Sequence, residues 1–161
     1  MPIRTGTNSK NQGQTMFVQT SRFGQIQSSQ EEVIFFPQGL IGFESSRHWL
    51  IVPDPINSDV AWLQSLSEAR VALPLVSPRK YVADYKVSTC QRDLSPLCIR
   101  SADRIYILCV VSKSGTTLTM NLRSPLVINL TRRLACQVIA SDSLPLAMPV
   151  SLDTVVARAA A

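Results

Sequence analysis

The chain alternates between short apolar runs and turn-forming residues, and the runs carry the period of strands. Residues 16–20 read as a strand and residues 23–27 alternate well enough for a second, with Ser21-Arg22 between them as a turn. Residues 33–36, 49–52 and 60–66 predict the next three strands. The run 71–76 is apolar but holds Pro74, which has no backbone N–H for a ladder and predicts an edge position or a strand end. Residues 105–111 are β-branched and apolar, which predicts a central strand buried on both faces. Residues 117–122 alternate, so one of their faces meets solvent. Arg123-Ser124-Pro125 interrupts that pattern, and residues 126–129 and 134–139 supply the last strands. One short helix is expected within 88–98, opened by Ser88 or Thr89 and running through Gln91-Arg92-Asp93-Leu94. About ten short strands, about 8–12 residues apart with turn signals between them, predict a mainly β protein. The expected form is a small antiparallel barrel or sandwich with one short helical insertion.

The turn between residues 33–36 and 49–52 is the most distinctive stretch. Phe36-Pro37-Gln38-Gly39-Leu40-Ile41-Gly42-Phe43-Glu44 places a proline and two glycines among large apolar side chains. Pro37 ends the preceding strand, and Gly39 and Gly42 allow positive φ or close backbone approach. Leu40, Ile41 and Phe43 must then fold back on a core or face a partner. Phe36, Pro37, Gly39 and Gly42 are therefore expected to be structural, with the loop also a candidate binding surface.

Residues 1–15 are polar and rich in Gly and Asn, and predict a flexible tail. Residues 16–150 form the one expected domain, and residues 151–161 a flexible C-terminal tail. The N-terminus has no apolar stretch of signal-peptide type, and no run reaches the ~18 residues of a membrane span. Hydrophobic residues make up 45% and charged residues 17% of the chain, which excludes a disordered protein. The net charge of +5 raises nucleic acid as a partner, but no basic run is present. Trp62, and Tyr106 near Arg104, are the best candidates for stacking a base, although core packing accounts for both.

Candidate chemistry is sparse. His48 is the single histidine and has no nucleophile or acid motif beside it. Asp54 and Asp59 flank a Pro/Asn turn and read as turn formers. Cys90, Cys98, Cys109 and Cys136 lack zinc spacing, and three of them sit in apolar surroundings, so structural thiols in a reducing cytoplasm are expected. No catalytic residue, cofactor or metal is expected, and a β-domain without a reaction centre reads as a binder.

Four segments in order carry a family resemblance: residues 36–44, Trp62-Leu63-Gln64-Ser65, Asp84-Tyr85, and Asn121-Leu122-Arg123-Ser124-Pro125-Leu126-Val127-Ile128-Asn129. Together with Arg132-Arg133 and Gln137-Val138 they resemble the FliW family of flagellar assembly factors over roughly residues 16–145. The resemblance implies a cytoplasmic, non-enzymatic, chaperone-like protein that binds flagellin and the translational regulator CsrA. Export of flagellin then frees the factor to capture the regulator and relieve repression of flagellin translation. Candidate partner-binding residues are Phe43, Glu44, Asn121, Ser124, Pro125 and Asn129, which leave the turn or bracket the interrupted strand, where unpaired backbone could meet a partner. A monomer with no membrane or direct nucleic-acid contact is expected; the alternative is a basic β-barrel that binds nucleic acid. Typical members are acidic and this chain is basic, so a site away from the regulator's RNA surface suits its electrostatics better.

Overall fold

The structure, a computed structural model, describes residues 13–151. Eleven strands are present among the described residues: β1 (Thr15–Thr20), β2 (Gly24–Ser29), β3 (Ile34–Phe35), β4 (His48–Pro53), β5 (Val60–Ser65), β6 (Ala72–Val76), β7 (Ile105–Ser114), β8 (Thr117–Met120), β9 (Leu126–Asn129), β10 (Leu134–Gln137) and β11 (Met148–Val150). The one α-helix among the described residues is α1 (Gln91–Leu94), followed by a 3₁₀ turn over Ser95–Leu97. Seven strands close a barrel in the order β7-β6-β5-β4-β3-β10-β9, because β9 pairs back onto β7. All pairings are antiparallel except β3 with β10. The mainly β barrel with a short helical insert is the architecture that the sequence predicts.

Alternate residues of β7 face two cores, which is the strand period at work. Leu108 and Val110 point into the barrel with Ile34, Phe36, Trp49, Leu63, Leu75, Leu126 and Ile128. Ile107, Cys109 and Val111 point outward to a second cluster with Trp62, Val76, Tyr85, Met120 and Leu122. A third cluster, Leu97, Val127, Cys136 and Val138, lies where the helical insert covers β9 and β10. β1 and β2 form a separate hairpin, anchored where the Phe23 ring meets Trp62 edge-on at 6.0 Å.

β7 is ten residues long and serves three neighbours. Its first four residues pair with β9, its last four with β8, and Cys109 and Val110 pair with β6 on the other side. Val111 is opposite Met120 and Leu108 is opposite Leu126. Residues 121–125 therefore span the two β7 positions Cys109 and Val110, and they interrupt the ladder between β8 and β9.

Several expectations need correction. Pro74 is not on an edge: β6 lies between β5 and β7, with Pro74 opposite Trp62. The β6–β7 pairing begins only at Leu75, so the proline meets no partner on that side. Residues 105–111 are central but not buried on both faces, since Ile105 and Tyr106 are exposed at the barrel's end. Only two of the four cysteines are buried, Cys109 and Cys136, while Cys90 and Cys98 are exposed. Burial pushes the Cys109 thiol up to about 12 and the Cys136 thiol to about 11, so neither is a nucleophile at neutral pH. β11, which the sequence pattern did not separate from the tail, pairs with β8 as an edge strand, where Pro149 is tolerated. Most of the two expected tails, residues 1–12 and 152–161, lies outside the described residues.

Candidate functional site

The distinctive turn is held shut by its own backbone. Phe36 is fully buried and receives the Trp49 ring edge-on at 6.2 Å. Its N–H donates to Arg47 O at 2.8 Å, and the Gly39 N–H donates back to Phe36 O at 3.0 Å. Gly39 has φ +70, and a Cβ there would lie 2.9 Å from Glu44 O, so both the backbone and the space demand glycine. The Phe43 N–H donates to Leu40 O at 2.9 Å, and Phe43 stacks edge-on against Trp49 at 6.2 Å. Gly42, at φ +89, donates its N–H to Glu44 Oε1 at 2.9 Å. That bond lowers the Glu44 carboxyl below its ordinary range. Leu40 is thereby buried, whereas Ile41 is left 65% exposed at the tip.

Most backbone groups of the interrupted strand are already paired within the protein. Leu122 N–H donates to Pro145 O at 3.1 Å, and the buried Tyr85 hydroxyl donates to Leu122 O at 2.6 Å. Arg123 N–H donates to Asn121 Oδ1 at 2.9 Å. The carbonyls of Arg123 and Pro125 accept from Ala140 N and Val138 N at 2.7 and 3.1 Å. What this segment can offer a partner is side chains and shape. Pro125 is buried, and Asn121 and Ser124 are half-buried.

The turn and the interrupted strand are brought together by Gln137 at the end of β10. Its Oε1 accepts from Ile41 N–H at 3.0 Å, and its Nε2 donates to Ser124 O at 3.4 Å. Three recesses share this carboxamide in their linings, and together they form the groove. A recess of about 340 Å³ is lined by Ile41, Phe43, Val110, Asn121, Ser124 and Gln137. A smaller one of about 150 Å³ adjoins it, with Gln38, Gly39 and Glu44. A polar one of about 330 Å³ continues past Gln38 and Gln137 to Arg92 and Asp93. Ile139, 62% exposed, lines that last part. The largest of the three is lined by the apolar Leu40 and Leu73, and two exposed isoleucines, Ile41 and Ile139, line the recesses.

Comparison with known proteins decides the kinship. The family model described as "FliW protein" matches residues 16–150. The chain belongs to the FliW family. Flagellar assembly factor FliW of Bdellovibrio bacteriovorus is 33% identical over 130 residues, covering 80% of this chain and 74% of that relative. The factor of the same name from Geobacter sulfurreducens is 32% identical over 130 residues, covering 80% and 81%. A crystal structure of the flagellar assembly factor FliW superposes with a TM-score of 0.75 at 22% identity, covering 86% of this chain and 97% of that one, and so shares the family fold.

Of the six residues expected to meet partners, Phe43, Glu44, Asn121 and Ser124 line the groove, and Pro125 sits buried beside it. Asn129 stands apart. It is 0% exposed at the opposite end of β9, with Nδ2 donating to Leu97 O at 3.0 Å and Asp103 Oδ2 at 2.8 Å. Its Oδ1 accepts from Arg132 N–H at 3.2 Å. Its amide is spent on fixing a turn, and in this fold it presents nothing to a partner. Asp103 is lowered by the Asn129 amide first and the Arg100 N–H next, with the Arg132 guanidinium adding to both.

Ile41 stands out in the sequence only as an apolar residue of the turn, and Gln137 only within the resemblance, so neither is among the expected partner-binding residues, although both line the groove. A glutamine ending an apolar run reads as a solvent-facing strand residue. Only its place opposite both motifs gives it a role. The stacking candidates divide. Trp62 is buried, its indole N–H donates to Asp54 Oδ2 at 2.9 Å, and Arg22 covers its ring at 4.2 Å, so it cannot take a base. Tyr106 is 48% exposed and is not core. No helix among the described residues is long and apolar enough to cross a membrane.

Proposed function

We propose that this chain is a non-enzymatic flagellar assembly factor that binds flagellin and the translational regulator CsrA, and that the groove around Gln137 is where protein partners dock. One observation carries the proposal. Four residues singled out from the sequence, from segments some eighty positions apart, line two recesses that share Leu40, Ile41 and Gln137, with the exposed Ile41 between them. Exposed large apolar side chains grouped around a concave surface are costly to leave in water and fit a protein partner. Family membership supports the flagellar role. In this reading the protein works as a cytoplasmic monomer. Flagellin holds it while export is blocked, and once flagellin leaves, the free factor captures CsrA and flagellin translation resumes. The two ligands are then coupled through one small domain, each weakening the other.

The test is calorimetric titration with flagellin and, separately, with CsrA of the same organism. Saturable binding of both, with one displacing the other, is expected. Binding of CsrA alone removes flagellin as the signal, and binding of neither refutes the proposal. The half-exposed Tyr106 next to Arg104 favours a nucleic-acid reading enough to test it alongside. Binding of single-stranded RNA that falls steeply with salt would replace the leading reading.

A further inference from the structure

We propose that the recess between β2 and β4 is a strand-addition site for an extended apolar peptide whose last residue is acidic. β4 has an open edge. Its even-numbered residues exchange hydrogen bonds with β5, since His48 O accepts from Leu66 N at 3.0 Å and Asp54 N donates to Val60 O at 3.1 Å. Its odd-numbered residues therefore turn their N–H and C=O groups the other way. On that side Phe36 N donates to Arg47 O, and Trp49 is opposite Ile34. β3 is only two residues long, and the chain before it turns away as a 3₁₀ turn over Gln30–Glu32. No strand among the described residues reaches Ile51 from there, so its N–H and C=O have no ladder partner. β2 brings a second open edge. It pairs only with β1, and Ser29 N donates to Glu32 Oε2 at 2.9 Å, so the odd-numbered residues of β2, Gln27 among them, face away from their ladder. Ile51 and Gln27 both line a recess of about 470 Å³, which shares no lining residue with the groove around Gln137.

The lining chooses the occupant. Alternating donors and acceptors along an edge are matched by extended backbone, which is how strand addition works. β4 contributes residues 50–53, about 13 Å of strand, the length of a tetrapeptide. Ile26, Ile34, Leu50 and Val52 line the space and suit apolar side chains. Arg133 lines it beside the end of β3, where its carbonyl accepts from Phe35 N at 2.9 Å. Its guanidinium makes no hydrogen bond or ion pair among the described residues, and the neighbouring Glu32 is engaged by Ser28 Oγ and Ser29 N. An open guanidinium takes a carboxylate. A peptide that continues the line of β3 runs antiparallel to β4 and brings its last residue to Ile34 and Arg133.

The probe is the peptide acetyl-Val-Thr-Val-Asp-amide, titrated into the isotope-labelled full chain and followed by NMR. Binding should saturate below about 1 mM, with signals moving at Gln27, Ile51 and Val52 and exchange of the Ile51 amide slowed at least about tenfold. A fully N-methylated peptide, and one with lysine in place of aspartate, should each bind at least about fivefold more weakly. Arg133→Asn suits the left-handed backbone at φ +58 and should abolish the preference for aspartate over lysine, whereas Arg133→Lys should keep it. No saturable binding, equal binding of the N-methylated peptide, signal changes confined to the groove around Gln137, or an aspartate preference that survives Arg133→Asn overturns the proposal. An Ile51 amide already protected in the free chain also overturns it. Protection that grows with protein concentration assigns the edge to a second copy, and protection independent of concentration assigns it to another segment of the same chain.

Discussion

Replacing Asn129 with alanine tests whether that residue is a fastener or a contact. Its side chain is fully buried and makes three hydrogen bonds, to Leu97 O, Asp103 Oδ2 and the Arg132 N–H. At ~1 kcal/mol net for each bond, the loss is about 3 kcal/mol. The Leu97 carbonyl, in a fully buried residue, is left without this donor, which pushes the cost toward about 4 kcal/mol. For a chain of this size a loss of about 3–4 kcal/mol corresponds to a fall in unfolding midpoint of roughly 6–16 °C. Asn129→Asp should fall at least as far at neutral pH, because a second carboxylate would face Asp103. The assay is thermal and urea unfolding followed by circular dichroism, with an unchanged m-value as the check that the transition remains two-state. At a temperature where the variant is folded, its affinity for flagellin and CsrA should match that of the unaltered chain. A loss of stability under about 1 kcal/mol, or a clear drop in affinity without loss of stability, would refute the reasoning.

Other outcomes follow from the same contacts. Ile41→Glu changes an exposed tip, so stability should move by less than about 0.5 kcal/mol while affinity for a protein partner falls at least about tenfold, as read by titration. Gly39→Ala places a Cβ against Glu44 O in a left-handed backbone, and urea unfolding should register a loss of about 2–3 kcal/mol. Acid should destabilise the fold through carboxyls whose folded pKa values are depressed. Glu32 is lowered by the Ser28 hydroxyl first and the Ser29 N–H next, and Asp103 by the Asn129 amide first. At Asp54, burial raises the pKa, but the Asn57 N–H, the Trp62 indole and the Ile56 N–H outweigh it. A lowered folded pKa contributes stability above the unfolded value and loses it as pH falls through the folded one, so the loss should begin near pH 4 and deepen below it. Urea midpoints from pH 7 to pH 2 measure this, and Ser28→Ala should remove part of the slope.

The barrel was legible because strand period and turn residues are local signals. The alternation at residues 117–122 and the break at Arg123-Ser124-Pro125 mark where β8 stops and β9 begins, and the ladder with β7 is interrupted there. Gly39 and Gly42 stood out because positive φ is a property of single residues, and both have it. Long-range relations were not legible. Pro74 reads as an edge residue from its missing N–H, yet it is accommodated inside the barrel because β7 starts pairing one residue later. Asn129 resembles a surface residue by type, and only the fold shows Leu97 and Asp103 closing over it. Gln137 enters the sequence reading only within the resemblance, at Gln137-Val138, and its structural role lies in two bonds to residues 96 and 13 positions away.

The central claim is that partners dock on the groove, and a footprint tests it most directly. Backbone amide signals of the labelled chain would be followed by NMR while unlabelled flagellin, and then CsrA, is added. The account predicts changes concentrated at Ile41, Phe43, Asn121, Ser124 and Gln137, with Asn129 and its turn unmoved. Changes centred instead on Arg104 and Tyr106 at the other end of the barrel, with the groove silent, would contradict it.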